Sequence, residues 1–566
     1  MVEVVSEERA RGVTVSSRAA AMWALVATVA LAAVLLSVVT VLPIGTYYWD
    51  IYFFVDAAHR IRVGEVPHQD FFLSVGALPY YLYELTQRIW PDGQPLLVGQ
   101  YSLLLVTAPL MAAVILAADA EPGRVLAVVL PFAFFSLAPV NSNEFVTVPA
   151  VDGYGLYNRQ AGLVLYVLAS ALALVRVPLP LGSIAGLAAA ALFFLKITGF
   201  VAGAGFILCA FLAGRLGAKV MGAGLVAFLV PVVVVEASLG IVSIYISDVL
   251  AMLAHNSGGL LRRVLRLISQ ELDLLAPLGI LCIVLAFAER DRLLHSLRAP
   301  GLNKITGIFS LTAVQLALMT VFAISFEMQN TGSQEFIYLW PLLSGILFLG
   351  KKLGGHVRLA VILLLALTAL PTFSKAAHRL ARAVAIMPAQ VSLNLPGLGV
   401  LNSVSSREEY IRRARLMREH YAEHSEAYRK LVQEGEDPSF LYYTMPDTQL
   451  LYLIDLVEGM KAIQRHEQEA GVRYESIAGL DYVDPLPMLL ERKGAKGMPM
   501  GLDPTRGYPA GRHESYRAGL TEVDAIVEPL CPLLDQRADI RAIVEPVLAE
   551  RRAVRIDPCW ILYVKQ

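Results

Sequence analysis

The stretch YYWDIYFFVDAAHRIRVGEVPHQDFF, residues 47–72, sets Asp50, Asp56, Glu65 and Asp70 beside His59 and His68 among many aromatic rings. A carboxylate in such a setting can take a proton from a hydroxyl, and cations placed nearby can hold an anion that leaves. Asp50 is the first candidate base, because it follows a long apolar run and so falls at a boundary between lipid and water. The plainer alternative is that Asp50 only caps a helix beginning near Ile51. Asp56 lies more than one and a half helical turns further on, off the face of Asp50. With Arg60 at i+4 it predicts a solvated ion pair of small worth. Asp70 follows a Gly64/Pro67 break and either caps the next element or touches substrate. His68 and Glu65 suit contacts to an acceptor or a metal. No metal-ligand spacing stands out, so a divalent metal is compatible with these acids without being required by them.

Cations that would serve such a base occur at Arg159, Lys196, and in LLRRVLRL at Arg262, Arg263 and Arg266. Arg262 and Arg266 are four apart and share a helix face opposite leucines. That segment either snorkels toward anionic head groups or clamps a phosphate. Lys196 sits in a hairpin between two apolar runs, too tight for an anchor. His255 and Asn256 are weaker candidates near the same arginines. Glu236, an acid within VPVVVVEASLG, would neighbour Lys196, line a cavity, or stay protonated.

The elements that must position these groups follow from composition. The 566 residues are 56% hydrophobic and 17% charged, against about 25% charge in an average soluble domain. The net charge of −1 gives nucleic acid no support as a partner. Apolar runs predict about eleven membrane-spanning helices. Their limits are 20–43, 96–118, 124–140, 160–176, 179–195, 197–213, 219–246, 273–289, 306–325, 336–350 and 356–374. The first reads as an uncleaved anchor. Arg9, Arg11 and Arg18 place the N-terminus in the cytoplasm. Arg290, Arg292, Arg298, Lys304, Lys351, Lys352 and Arg358 then fall on the same side. An odd number of spans sends the tail outward.

The predicted fold is therefore an α-helical polytopic membrane protein over 1–374, with an amphipathic first outer loop 44–95, and an extracytoplasmic α/β domain over 375–566. WDIYFFVDAAHRI and LPYYLYELTQRIW in the loop predict two short amphipathic helices lying in the membrane interface. In the tail, 406–433 reads as a helix with Tyr410, Ala414, Met417 and Tyr421 on one stripe. Ser405 or Ser406 with Glu408 or Glu409 would form its capping box. A second helix spans Asp447 to Gln468, Gly- and Pro-rich chain fills 479–512, strands fall at 524–529 and 560–565, and a helix lies near 539–551. AIVEP recurs at 525–529 and 542–546, too briefly for a repeat. Cys209 and Cys282 lie in apolar runs, whereas Cys531 and Cys559 in the tail are either bridged or two thiols.

One resemblance covers roughly the first two hundred residues. Asp50, then G-x-x-P-H-x-D-F at Gly64, Pro67, His68, Asp70 and Phe71, then G-x-L-x-Y-Y-L at Gly76, Leu78, Tyr80, Tyr81 and Leu82 resemble the first outer loop of polytopic GT-C glycosyltransferases. These are the relatives of protein O-mannosyltransferases and aminoarabinose transferases. Y-N-R-x-x-G at Tyr157, Asn158, Arg159 and Gly162, and L-K-x-T at Leu195, Lys196 and Thr198, resemble bacterial members. Many members carry two adjacent acids where this chain has Asp50-Ile51. The resemblance implies sugar transfer from a polyprenyl-phosphate donor to a glycan, lipid or protein acceptor, outside the bacterial cytoplasmic membrane and among its lipids. It makes Asp50 the base and 247–272 the loop that grips donor phosphate. The rival from another class is a secondary transporter or flippase, which would show charged groups at the midplane and half-chain symmetry. A polysaccharide ligase or polymerase would carry its long loop late, and a non-enzymatic scaffold would use the tail for binding.

Overall fold

A computed structural model describes residues 2–142, 148–256, 258–330, 332, 335–349, 354–436, 445–504 and 507–566, with side chains from Arg18 onward. Lys351 and Lys352 lie outside the described residues, as do the side chains of Arg9 and Arg11. The chain is mostly helical. It opens with α1 (Val2–Ser37), the strand β1 (Leu42–Pro43), then α2 (Trp49–Arg62) and α3 (Leu78–Ile89). A bundle follows: α4 (Pro95–Ser102), α5 (Leu104–Ala117), α6 (Pro122–Leu137), α7 (Leu156–Leu174), α8 (Pro178–Leu195), α9 (Ile197–Leu212) and α10 (Ala218–Leu239). Next come α11 (Ile241–His255), α12 (Leu260–Gln270), α13 (Leu272–Ala288), α14 (Arg290–Arg298), α15 (Leu302–Phe309), α16 (Thr312–Glu327), α17 (Trp340–Leu349) and α18 (Gly355–Ile386).

Local chemistry sets these limits. Pro95, Pro122 and Pro178 each sit in a first turn, where a missing N–H breaks no hydrogen bond. The run expected as one span over 219–246 is two helices, parted at Gly240 in the left-handed region, φ 65°. Five helices are long and apolar enough to cross a membrane: Arg18–Ser37, Pro95–Ala117, Pro178–Leu195, Ala218–Leu239 and Gly355–Ala389. Two bent pairs, α12 with α13 at 90° and α15 with α16 at 76°, raise that to 7 if each is one span. The apolar helices Gly123–Leu137, Ile197–Leu212, Ile241–His255 and Ile337–Leu349 are shorter. The described residues thus hold five to seven candidate spans where the sequence predicts about eleven. The expected span 160–176 is α7, which the other helices bury on every side. By contrast α10 leaves Val226 62% and Val233 61% exposed. The last helix continues past 374 to Ile386.

Two small sheets organise the rest. In the first, β1 pairs in parallel with β3 (Val404–Ser406), which pairs antiparallel with β2 (Val391–Ser392). It joins the start of the first loop to the tail. Ser405 and Ser406 are buried in β3, so they cap nothing. The following helix α19 (Glu408–Glu423) has Arg407 at its N-cap with no side-chain cap, which replaces the expected capping box. After α20 (Ser425–Gln433) and α21 (Asp447–Ala470) comes a four-stranded sheet, ordered β4 (Ile477–Gly479), β5 (Ala525–Pro529), β7 (Trp560–Lys565) and β6 (Arg551–Asp557). The helices α22 (Leu486–Leu489), α23 (His513–Glu522) and α24 (Asp535–Leu548) fall between its strands. Charges interrupt the alternation of β6, so its sequence does not mark it as a strand. Cys531 and Cys559 form a disulfide across the ends of β5 and the β6–β7 turn.

α2 departs furthest from expectation. It does not lie in an interface: ten of its residues, from Asp50 to Arg60, are buried. Trp49 meets Tyr452 at 5.1 Å, and Phe53 meets Tyr482 at 5.1 Å, so rings of the tail cover it. The Asp56–Arg60 pair, expected in solvent, is buried at 3.4 Å. Arg60 also reaches Glu65 at 3.0 Å and the carbonyl of Ala495 at 3.1 Å. Charges spaced for a solvated helix face here hold the loop to the tail.

Candidate functional site

Asp50 lies in the first turn of α2 but caps another helix. Its Oδ2 accepts from the backbone N–H of Gly155, 2.7 Å away, just before α7. Gly155 is left-handed, φ 67°, which turns its N–H toward the loop. The carboxylate therefore sits at the positive end of α7, where such a charge is favoured. Burial pushes the Asp50 carboxyl up to about 7; Asp152 pushes the same way, while the Gly155 N–H and Lys196 pull down.

Lys196 faces the same place. It is the extended residue between α8 and α9, φ −158° and ψ 120°, and is half-buried. Its Nζ donates to the side-chain oxygens of Asn158 and Asn330, the latter at 2.5 Å. It lies over the rings of Tyr157 at 5.2 Å and Phe326 at 5.7 Å. Burial lowers the ammonium to about 7, against the opposing pull of Glu327 and Asp50. An acid held up and a base held down lie within electrostatic reach of each other, which is a pattern of functional sites.

Aromatic side chains stand around the pair. Tyr157 has Asp50, Tyr482, Tyr80 and Tyr154 as its electrostatic neighbours, and Tyr47 packs on Tyr154 at 4.9 Å. Tyr47, Tyr154, Tyr157 and Tyr482 are all half-buried. Tyr482 belongs to the tail, so the C-terminal region supplies part of these surroundings.

The other predicted cations do not all join. Arg263 donates to Gln329 Oε1 at 2.8 Å, next in sequence to the Asn330 that holds Lys196. Arg262 points away, exposed, and lines a surface groove with Leu261, Leu265 and Arg266. Arg159 turns into the bundle, where it donates to Gln100 at 2.9 Å and to Asn141, with Glu335, Asp152 and Arg379 around it. Its partners there are those of a buried structural cation.

The remaining candidates are held by local or tail contacts. His68 is left-handed and buried; its Nδ1 lies 3.0 Å from Asp248 Oδ2, and Asp248 also binds Arg512. Asp70 Oδ2 accepts from the Val66 N–H at 2.8 Å, and its Oδ1 is 3.4 Å from Lys496. It thus closes the turn that precedes it, whereas the sequence predicts a cap for the next element or a contact with substrate. Glu236 accepts from the backbone N–H groups of Val242 at 2.8 Å and Ser243 at 3.3 Å. That caps α11, a role not among those expected for it. Among the described residues no three His, Cys, Asp or Glu side chains gather to hold a metal. Asp152 also acts on Asp50, and the other groups around it are a backbone N–H, tyrosine rings and the Lys196 ammonium.

Asn330, Glu327, Tyr482, Asp248 and Arg512 were missed by sequence reasoning, because each reaches its partner from a distant segment. Asn158 lies within the Y-N-R-x-x-G motif, and nothing in that motif marks it as the partner of Lys196. No family model matches the chain, and no curated protein matches it.

Proposed function

We propose that the chain is a membrane glycosyltransferase that moves a sugar from a polyprenyl-phosphate donor to a hydroxyl of a glycan, lipid or protein. Asp50 is the base and Lys196 holds the phosphate. The observation that carries this reading is that Asp50, bound to the Gly155 N–H at the start of α7, and Lys196, held by Asn158 and lying over the Tyr157 ring, stand within electrostatic reach of each other. In the reaction the acceptor oxygen bonds to the anomeric carbon and its proton passes to an Asp50 oxygen. The bond from that carbon to the phosphate oxygen breaks, and its electron pair leaves with polyprenyl phosphate. Lys196 offsets the charge that develops there, and Arg263, joined to it through Gln329 and Asn330, adds to the same field. The tyrosines supply flat faces for a sugar ring.

The membrane setting rests on the exposed apolar flanks of α5, α10 and α13, wider than water tolerates on a monomer. The reading of about eleven crossings takes the five long helices and both bent pairs together with α6, α7, α9 and α17, sheltered by their neighbours, and leaves α11 outside the count. A disulfide in the tail suits an oxidising compartment, which supports a tail outside a bacterial cytoplasmic membrane and an N-terminus inside. A transporter would gather charge in the middle of the bundle, whereas Asp50 and Lys196 flank helix ends. The test is incubation of purified protein with a short-chain polyprenyl-phosphate sugar and a hydroxyl acceptor. Release of polyprenyl phosphate with matched sugar transfer supports the reading; no release in any lipid or acceptor mixture overturns it.

A further inference from the structure

The end of the bundle opposite Asp50 carries a second cluster of charge. α7 has 19 residues, about 28 Å at 1.5 Å per residue, close to the hydrocarbon thickness of a bilayer. Asp50 caps its first turn. Past its last turn stands Arg176, before α8, with Arg124 at the start of α6 and Arg215 between α9 and α10. The three guanidinium groups act on one another as like charges. Arg124 Nη2 donates to the carbonyl of Ala173 at 3.3 Å, while its buried Nε has no partner. Arg215 lines a cavity with Ala173, Cys209, Gln315, Met319 and Leu342, and its buried Nη2 is also without a partner. Burial, then Arg176 and Arg124, push the Arg215 guanidinium down to about 10. Glu121 acts on Arg124, opposing the effect of Arg176 there.

Like charges with two orphaned donors are unfavourable until an anion accepts from those donors. Guanidinium forks match phosphate oxygens. We infer that Arg124, Arg176 and Arg215 form a binding site for a phosphate group, carried by an anionic phospholipid or free in solution. The site is separate from the chemistry at Asp50 and stands whether or not sugar transfer is found.

The experiment is native mass spectrometry of the full chain in detergent, with phosphatidylglycerol, phosphatidylcholine or inorganic phosphate added. Retention of phosphatidylglycerol over phosphatidylcholine marks a lipid source. Binding of inorganic phosphate that displaces phosphatidylglycerol marks a small soluble anion. Either should fall about tenfold or more in Arg215→Gln, and measurably in Arg176→Gln, whose exposed position leaves the fold intact if Arg215→Gln does not fold. Arg290→Gln, at an exposed position outside the cluster, should bind as the natural chain does. Equal binding by natural chain and Arg176→Gln, an equal loss in Arg290→Gln, or no binding of either phosphate overturns the site.

Discussion

The Asp50 carboxylate accepts a hydrogen bond from the Gly155 N–H, so the first loop is keyed to the N-terminus of α7. Gly155 permits this only through its left-handed backbone, and a Cβ there would lie 3.0 Å from Asn158 Nδ2 and 3.2 Å from the Gly332 backbone. Gly155→Ala should destabilise the chain by about 1 kcal/mol and displace both Asp50 and the Asn158 that holds Lys196. Thermal unfolding and sugar transfer, compared with the natural chain, check it. An unchanged transfer rate would separate the cap from the chemistry.

The pH dependence of transfer should be a narrow bell. Asp50 works as a base only when ionised, so activity rises with pH through about 7. Lys196 holds phosphate only when charged, so activity falls as pH passes its own value, also about 7. Arg stays charged throughout this range. Lys196→Arg should therefore extend the alkaline limb while leaving the acid limb in place, as measured by kcat/KM from pH 5 to 9.

Adjacent arginines should behave differently. Arg263→Ala removes a charge tied to the Lys196 segment and should raise the donor KM several-fold. Arg262→Ala removes an exposed charge on the other side of α12 and should leave the donor KM unchanged. Steady-state kinetics with a soluble short-chain donor distinguish them, and equal effects would mean that both act through the membrane surface.

The buried junction around Arg60 predicts a stability effect with a definite sign. Burial raises Asp484 to about 8 and Asp56 to about 6, both from 3.8. A carboxyl raised on folding binds more protons in the native state, so its contribution is full below the unfolded value and is lost as pH rises through the folded one. The tail should hold to α2 most firmly in mild acid and loosen toward pH 8. Asp484→Asn should flatten that loss, because an amide oxygen still accepts from Gly479 N–H, now 2.8 Å from Asp484. Limited proteolysis of the tail across this pH range is the measurement. Arg60→Met should cost about 3–5 kcal/mol by stranding the acids it pairs.

What the sequence makes legible is periodic or covalent in kind. Apolar runs mark nearly every long helix, the stripe at Tyr410, Ala414 and Tyr421 marks α19, and short apolar runs mark β5 and β7. Asp50 and Lys196 stand out because each interrupts such a run. The partners are illegible, since Asn330, Tyr482 and Gly155 reach Lys196, Tyr157 and Asp50 only after long-range folding. Burial misleads in the same way: Asp56 and Arg60 at i+4 look like any solvated pair until the tail covers them. Arg159 and Arg263 sit in comparable basic contexts, and only the packing turns one inward to Asn141 and the other toward Gln329.

The most direct measurement is sugar transfer by Asp50→Asn, set beside Asp291→Asn at an exposed site far along the chain. The asparagine keeps the shape and the bond from Gly155 but cannot take a proton, so transfer should fall about a hundredfold or more while unfolding temperature holds. Asp291→Asn should match the natural chain. Transfer by Asp50→Asn at the natural rate would contradict the assignment of Asp50 as the base.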